Sequence, residues 1–134
     1  MGSVMRMIVI TAAMAASGAT WAAEPEVRFR GTAPIKAMNL SEENGCLATA
    51  LVGRVVKRVF AADEIMMKSV TIEEATGERL LINIDDEKID RANMAARTNA
   101  VRALQIMLRE GARVNLGVYA CGAAGRVLML DAIW

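Results

Sequence analysis

Hydrophobic periodicity switches twice along this chain, and that switch limits the fold more than any other feature. Cys46 to Phe60 is rich in small and β-branched apolar residues, with Leu51, Val55 and Val59 recurring among Arg54, Lys57 and Arg58. It reads as one long strand with Gly53 near its middle, where a glycine marks a bulge or sharp bend. Ile65 to Glu74 alternates, with Met66, Lys68, Val70 and Ile72 on one face, and Arg79 to Asp85 alternates through Leu80, Ile82 and Ile84. Turns at 61–64 and 75–78 separate these runs. The period then becomes helical. From a predicted N-cap at Asp90, apolar residues fall at Ala96, Ala100, Val101, Leu104, Met107 and Leu108, one stripe of an amphipathic helix over 92–110 that Gly111 stops. Alternation returns over Arg113–Ala120, through Val114, Leu116 and Val118, and a last strand covers Arg126–Trp134.

The predicted order is β-β-β-α-β-β, mainly β with one helix. A long first strand bent at a glycine, and a helix between strands three and four, is the plan of a five-stranded OB-like barrel. Before it, 23–44 is weakly patterned and reads as an N-terminal arm, with Val27-Arg28-Phe29 as a candidate edge strand and a turn at 41–45. The barrel domain is expected over 45–134.

Residues 1–22 have the form of a signal peptide: Arg6, an apolar run of about ten residues, then Thr20-Trp21-Ala22 as a small-x-small cleavage site. That run is short of the roughly 20 residues of a spanning helix, and no other run is long enough to span. The expected location is therefore periplasmic or secreted. Removing the leader takes Lys+Arg from 16 to 15 against 15 Asp+Glu, so the mature chain is neutral, which argues against nucleic acid as a partner. Two cysteines in an exported chain predict a disulfide, Cys46–Cys121. The chain has no histidine, which removes the commonest general base and metal ligand. Ser41 and Ser69 have no base to activate them. The methionines sit at core positions rather than in a soft-metal spacing, and no cofactor is expected.

The sequence argues for a non-catalytic binding module whose partner is a protein, an envelope component or a glycan. Its expected contact surface is the exposed face of strands one to three, with Arg54, Lys57 and Arg58 as candidate binding residues. Aromatic platforms are few: Phe29, Phe60, Tyr119 and Trp134 after the leader.

Two resemblances add alternatives. Arg79-Leu80-Leu81-Ile82-Asn83-Ile84-Asp85-Asp86-Glu87 before the helix, and Gly125-Arg126-Val127-Leu128 after it, resemble the R-L-L-x-x-D-x-P-E and Y-G-R-x-L-A runs of staphylococcal nuclease-like domains. The resemblance implies calcium-dependent phosphodiester cleavage, with Arg79, Glu87 and Arg126 catalytic and Asp85 and Asp86 near the metal. The chain departs from that pattern in lacking the proline and in placing Ala124 where the family has tyrosine. In plan alone, an exported, disulfide-linked barrel of this size is similar to the pentameric B subunits of bacterial toxins, which implies a ring with the helix lining its pore.

Overall fold

The computed structural model describes residues 25–38 and 46–134; the predicted leader and the turn at 41–45 lie outside them. Two short strands, β1 (Arg28–Arg30) and β2 (Ala33–Lys36), form a hairpin. The barrel strands are β3 (Leu47–Phe60), β4 (Met67–Glu73), β5 (Arg79–Asn83), β6 (Arg113–Cys121) and β7 (Val127–Ile133). Helices α1 (Asp86–Asp90) and α2 (Met94–Met107) lie between β5 and β6.

The barrel closes in the order β3-β4-β5-β7-β6. Every pairing in it is antiparallel except β5 with β7, which is parallel. This is the OB-like plan expected from the order of elements. Its closure depends on β3, which pairs with β6 from Leu47 to Arg54 and with β4 from Arg54 to Phe60. Gly53 sits at the handover. A Cβ there would press on the Ile72 side chain and lie 2.7 Å from the Glu73 carbonyl oxygen, so only glycine lets β3 cross β4 this closely.

The core is filled by residues that alternation assigned inward, among them Val55, Ile72, Ile82 and Leu116, together with Leu130 of β7. Ala100, Ala103, Leu104 and Leu108 cap it from α2, and Gln105 Nε2 donates to the Ile65 carbonyl at 3.1 Å. Cys46 and Cys121 are bonded, with Cα atoms 4.5 Å apart. They continue the register in which Leu47 faces Ala120, so the disulfide is a cross-strand link that finishes the β3–β6 ladder. Among the described residues, no helix is long and apolar enough to cross a membrane.

Three local expectations are corrected. Lys68 does not share a face with Val70. The register passes from Val59↔Ser69 to Phe60↔Met67, which leaves Lys68 as an unpaired bulge residue that turns outward. A second bulge at Val56 turns Val59 to the surface and brings Arg58 opposite buried Val70. The helix begins later than expected: Asp90 ends α1, and Asn93 caps α2 by accepting from the Ala96 amide at 2.9 Å.

The segment expected as an arm takes on structure where it is described. Gly31, at φ +64, turns the β1–β2 hairpin. Beyond it Ala37 exchanges two backbone hydrogen bonds with Ile133, at 3.0 and 3.1 Å, and Ala37 and Met38 are fully buried. On the other side of the hairpin, Arg102 of α2 stacks over the Phe29 ring, 5.2 Å from its centroid. The hairpin is thus docked between the end of β7 and α2.

Candidate functional site

The sequence-derived candidates do not form one constellation. Arg54 and Lys57 are exposed on the outer face of β3, whereas Arg58 follows the Val56 bulge onto the other face. The Arg58 guanidinium stacks on Phe60 at 5.3 Å, and its buried Nε has no hydrogen-bond partner. Arg54 lines a cleft of about 250 Å³ with Arg113, Glu73 and Glu74, a mixed-charge wall rather than a basic patch.

Arg79 Nε pairs with Glu73 across the β4–β5 ladder at 3.2 Å. Glu87 lies on α1, past the far end of β5, where Arg91 approaches it at 3.7 Å. The four steps from Arg79 to Asn83 already span about 13 Å at a strand's rise per residue. Arg126 precedes β7, at the end of the parallel pair where Arg79 starts. So the structure brings Arg79 and Arg126 to one end of the barrel and leaves Glu87 at the other.

Asp85 caps α1, accepting from the Lys88 amide at 3.2 Å, and Asp86 Oδ2 meets Lys68 Nζ at 2.7 Å. Among the described residues, no three His, Cys, Asp or Glu side chains converge as a metal-binding group. The Lys68 hydrogen bond holds the Asp86 carboxyl below its ordinary value and raises the lysine. Asp63 is likewise lowered, first by the Ile65 amide at 2.8 Å and then by the Met66 amide at 3.1 Å.

These shifts carry a pH signature. A carboxyl whose folded pKa is depressed stabilises the fold above its unfolded value, near pH 4, and loses that contribution as pH falls through the folded value. The raised Lys68 contributes below its unfolded value of about 10.4 and loses its contribution as pH rises past the folded value. The urea midpoint of the wild type is expected to fall between pH 5 and pH 2, and an Asp63→Ala, Asp86→Ala double variant is expected to show a shallower fall over the same window.

A different surface is built like a binding site. On the outer face, Ala50 of β3 pairs with Gly117 of β6, which pairs with Ala132 of β7. This row of minimal side chains crosses three strands and leaves a trench. Trp134 lies along it: a Cβ on Gly117 would meet the indole Cζ3 at 3.5 Å. The Trp134 backbone is fixed by a pair of hydrogen bonds with Asn115, at 3.0 and 3.3 Å, yet the residue is 51% exposed. The register shift in β7 leaves Asp131 as a bulge residue between Leu130 and Ala132, and it joins the lining.

The trench has two arms that share Trp134 and Lys36. One, of about 430 Å³, runs over β3, β6 and β7 and includes Thr49 and Asp131. The other, of about 440 Å³, runs toward the hairpin and is lined by Arg28, Ile35, Lys36 and Trp134. Sequence reasoning placed binding on the exposed face of strands one to three and the adjoining loops; Ala48, Thr49 and Ala50 of the first of those strands line this trench, and its other residues were not singled out as a surface. Its one signal was Trp134, a tryptophan at the end of an alternating run, and nothing in the spacing ties that residue to Arg28 or Lys36.

The chain is a disulfide-closed, five-stranded OB-like barrel with a docked N-terminal hairpin and an aromatic trench between them. No family model, curated protein or solved structure matches it.

Proposed function

We propose that this chain is an exported, disulfide-closed OB-like module that binds rather than catalyses, and that it takes a protein, an envelope component or a glycan in the Trp134 trench. One observation carries the reading: a half-exposed indole, held by its backbone, lies along a trench floored by Ala50, Gly117 and Ala132. Ligand sites are concave, with an apolar surface and a few convergent polar groups, and here Lys36, Asp131 and Thr49 supply the polar part. The form of residues 1–22 and the disulfide support an oxidising, exported setting. The resemblances to nuclease-like domains and to toxin B subunits rest on barrel plan and short motifs. The nuclease alternative draws less support, because Arg79 and Glu87 lie at opposite ends of β5.

Trp134 is itself the probe. The sequence has two tryptophans, so Trp21→Phe leaves Trp134 as the sole indole whether or not the leader is removed. Titration of that variant with glycan and envelope-peptide panels is expected to shift its emission. Trp134→Ala is expected to weaken binding, measured by calorimetry, by about 2 kcal/mol or more, roughly thirtyfold, as for a central aromatic anchor. Binding that survives Trp134→Ala and is lost in an Arg54→Ala, Lys57→Ala variant would move the site to the outer face of β3. Calcium-dependent cleavage of nucleic acid that is lost in Arg126→Ala would replace the binding reading altogether.

A further inference from the structure

The hairpin register places two cations side by side. Arg28 of β1 is the cross-strand partner of Lys36 of β2, next to a bulge at Ile35, so the two cations face each other across the hairpin. Like charges directly opposite each other destabilise a strand pair. Compensation by an ion-paired carboxylate is the usual remedy. Ion pairs join Lys68 to Asp86, Arg79 to Glu73, Arg91 to Glu87 and Arg97 to Asp90, and neither Arg28 nor Lys36 takes part in any of these. Both cations instead line the hairpin arm of the trench with Ile35 and Trp134, an arm without an acidic residue.

The hairpin is held in this position. Phe29 is under Arg102 of α2, and Ala37 is bonded to Ile133 next to Trp134. The cation pair is therefore fixed beside the indole rather than carried on a free arm. The other arm of the trench differs in character, since Thr49 and Asp131 line it beside Lys36.

From this juxtaposition we infer that the trench binds an acidic sugar, an oligosaccharide with a carboxylate-bearing ring. This rests on the Trp134 trench being the binding site, as proposed above. The carboxylate sits between Arg28 and Lys36, where it relieves their repulsion through charge-assisted hydrogen bonds. The C–H face of the ring lies on the indole, which offers a flat apolar surface with a polar edge. A hydroxyl of the next ring donates to Thr49 across the shared wall. A neutral sugar brings no charge to the two cations, so the charged ring is selected over it.

The test uses the Trp21→Phe chain and oligomers of galacturonic, glucuronic and mannuronic acid, each beside its methyl-esterified counterpart, which keeps the ring and removes the charge. At least one acid oligomer is expected to shift Trp134 emission saturably and to bind at least tenfold more tightly than its ester. In Arg28→Gln, Lys36→Gln that preference is expected to disappear while any ester binding remains. Sodium acetate at matched carboxylate concentration is expected to leave emission unchanged, because the ring supplies the stacking. Without ligand, Lys36→Gln is expected to raise the melting temperature, since it removes one of two opposed charges.

Equal binding of acid and ester would overturn the acidic-sugar inference and leave the trench as a neutral glycan site. Binding of panel peptides at Trp134 with no response to any acid oligomer would also overturn it and leave the site standing. A silent Trp134 toward every ligand, with Lys36→Gln no more stable than wild type, would remove both the inference and the reading beneath it.

Discussion

Replacing Cys46 and Cys121 with serine is expected to lower the unfolding free energy by about 2–5 kcal/mol, the largest loss among the changes considered. The two cysteines are 75 residues apart in sequence, with Cα atoms 4.5 Å apart. The chain-entropy estimate for a loop of this length is about 4.5 kcal/mol, an upper figure, because denatured chains keep some structure. There is also a local reason to expect a large effect. Among the described residues, β3 from Leu47 to Gly53 is paired only with β6, since β4 joins at Arg54. Leu47 is 77% exposed and adds little burial. The disulfide is therefore what anchors the open end of that ladder. Guanidinium titration of the double serine variant checks the global loss, and dithiothreitol should shift the wild type by the same amount and the variant not at all. Hydrogen exchange should show amides of 47–52 losing protection before those of β4. An unchanged midpoint would mean that β3 and β6 hold without the link.

Gly53→Ala is expected to cost about 1–3 kcal/mol, in the range of an overpacked core. The new Cβ would press on the Ile72 side chain and sit 2.7 Å from the Glu73 carbonyl oxygen. A flexible side chain moves aside at little cost, but a carbonyl in a ladder moves only by shifting the strand. Since β3 changes partner here, that shift opens the barrel at its handover. The entropy gained by replacing glycine with alanine in the unfolded chain, about 0.4–1 kcal/mol, offsets part of the cost. Gly117→Ala is the matched control. Its Cβ would meet Trp134 Cζ3 at 3.5 Å and Ala132 Cβ at 3.7 Å, ordinary contacts, so a change within about 0.5 kcal/mol is expected. Urea midpoints of the two variants, measured side by side, decide whether close approach at Gly53 is the constraint described.

Elements with one uninterrupted period were legible in the sequence. Leu80, Ile82 and Ile84 alternate into the core, as do Val114, Leu116 and Val118, and Leu104 and Leu108 fall on the buried stripe of α2. Gly53 was legible too, because a glycine inside a β-branched run has few other uses. Bulges were not legible. Val56, Lys68 and Asp131 each add a residue that no local signal announces, and each reverses the facing of the residues beyond it. The split between α1 and α2 was hidden because Asp90 and Asn93 are both good caps by residue type, and only backbone geometry at Asn93 selects one. The trench was the least legible feature. Arg28 and Lys36 are about 80 residues or more from Gly117 and Trp134 in sequence, and only the pairing of Ala37 with Ile133 brings them together. Pairing between distant strands is set by closure of the whole barrel, which no short window of sequence contains.

The proposed binding site is tested most directly by collisional quenching of Trp134 in the Trp21→Phe chain. An indole exposed beside Arg28 and Lys36 should show a higher ratio of iodide to caesium quenching than free N-acetyltryptophanamide, because the cations draw the anion in and repel the cation. The Arg28→Gln, Lys36→Gln variant should lose most of that preference. Emission shielded from both quenchers, or a ratio no higher than that of the free indole, would contradict an open indole flanked by two cations.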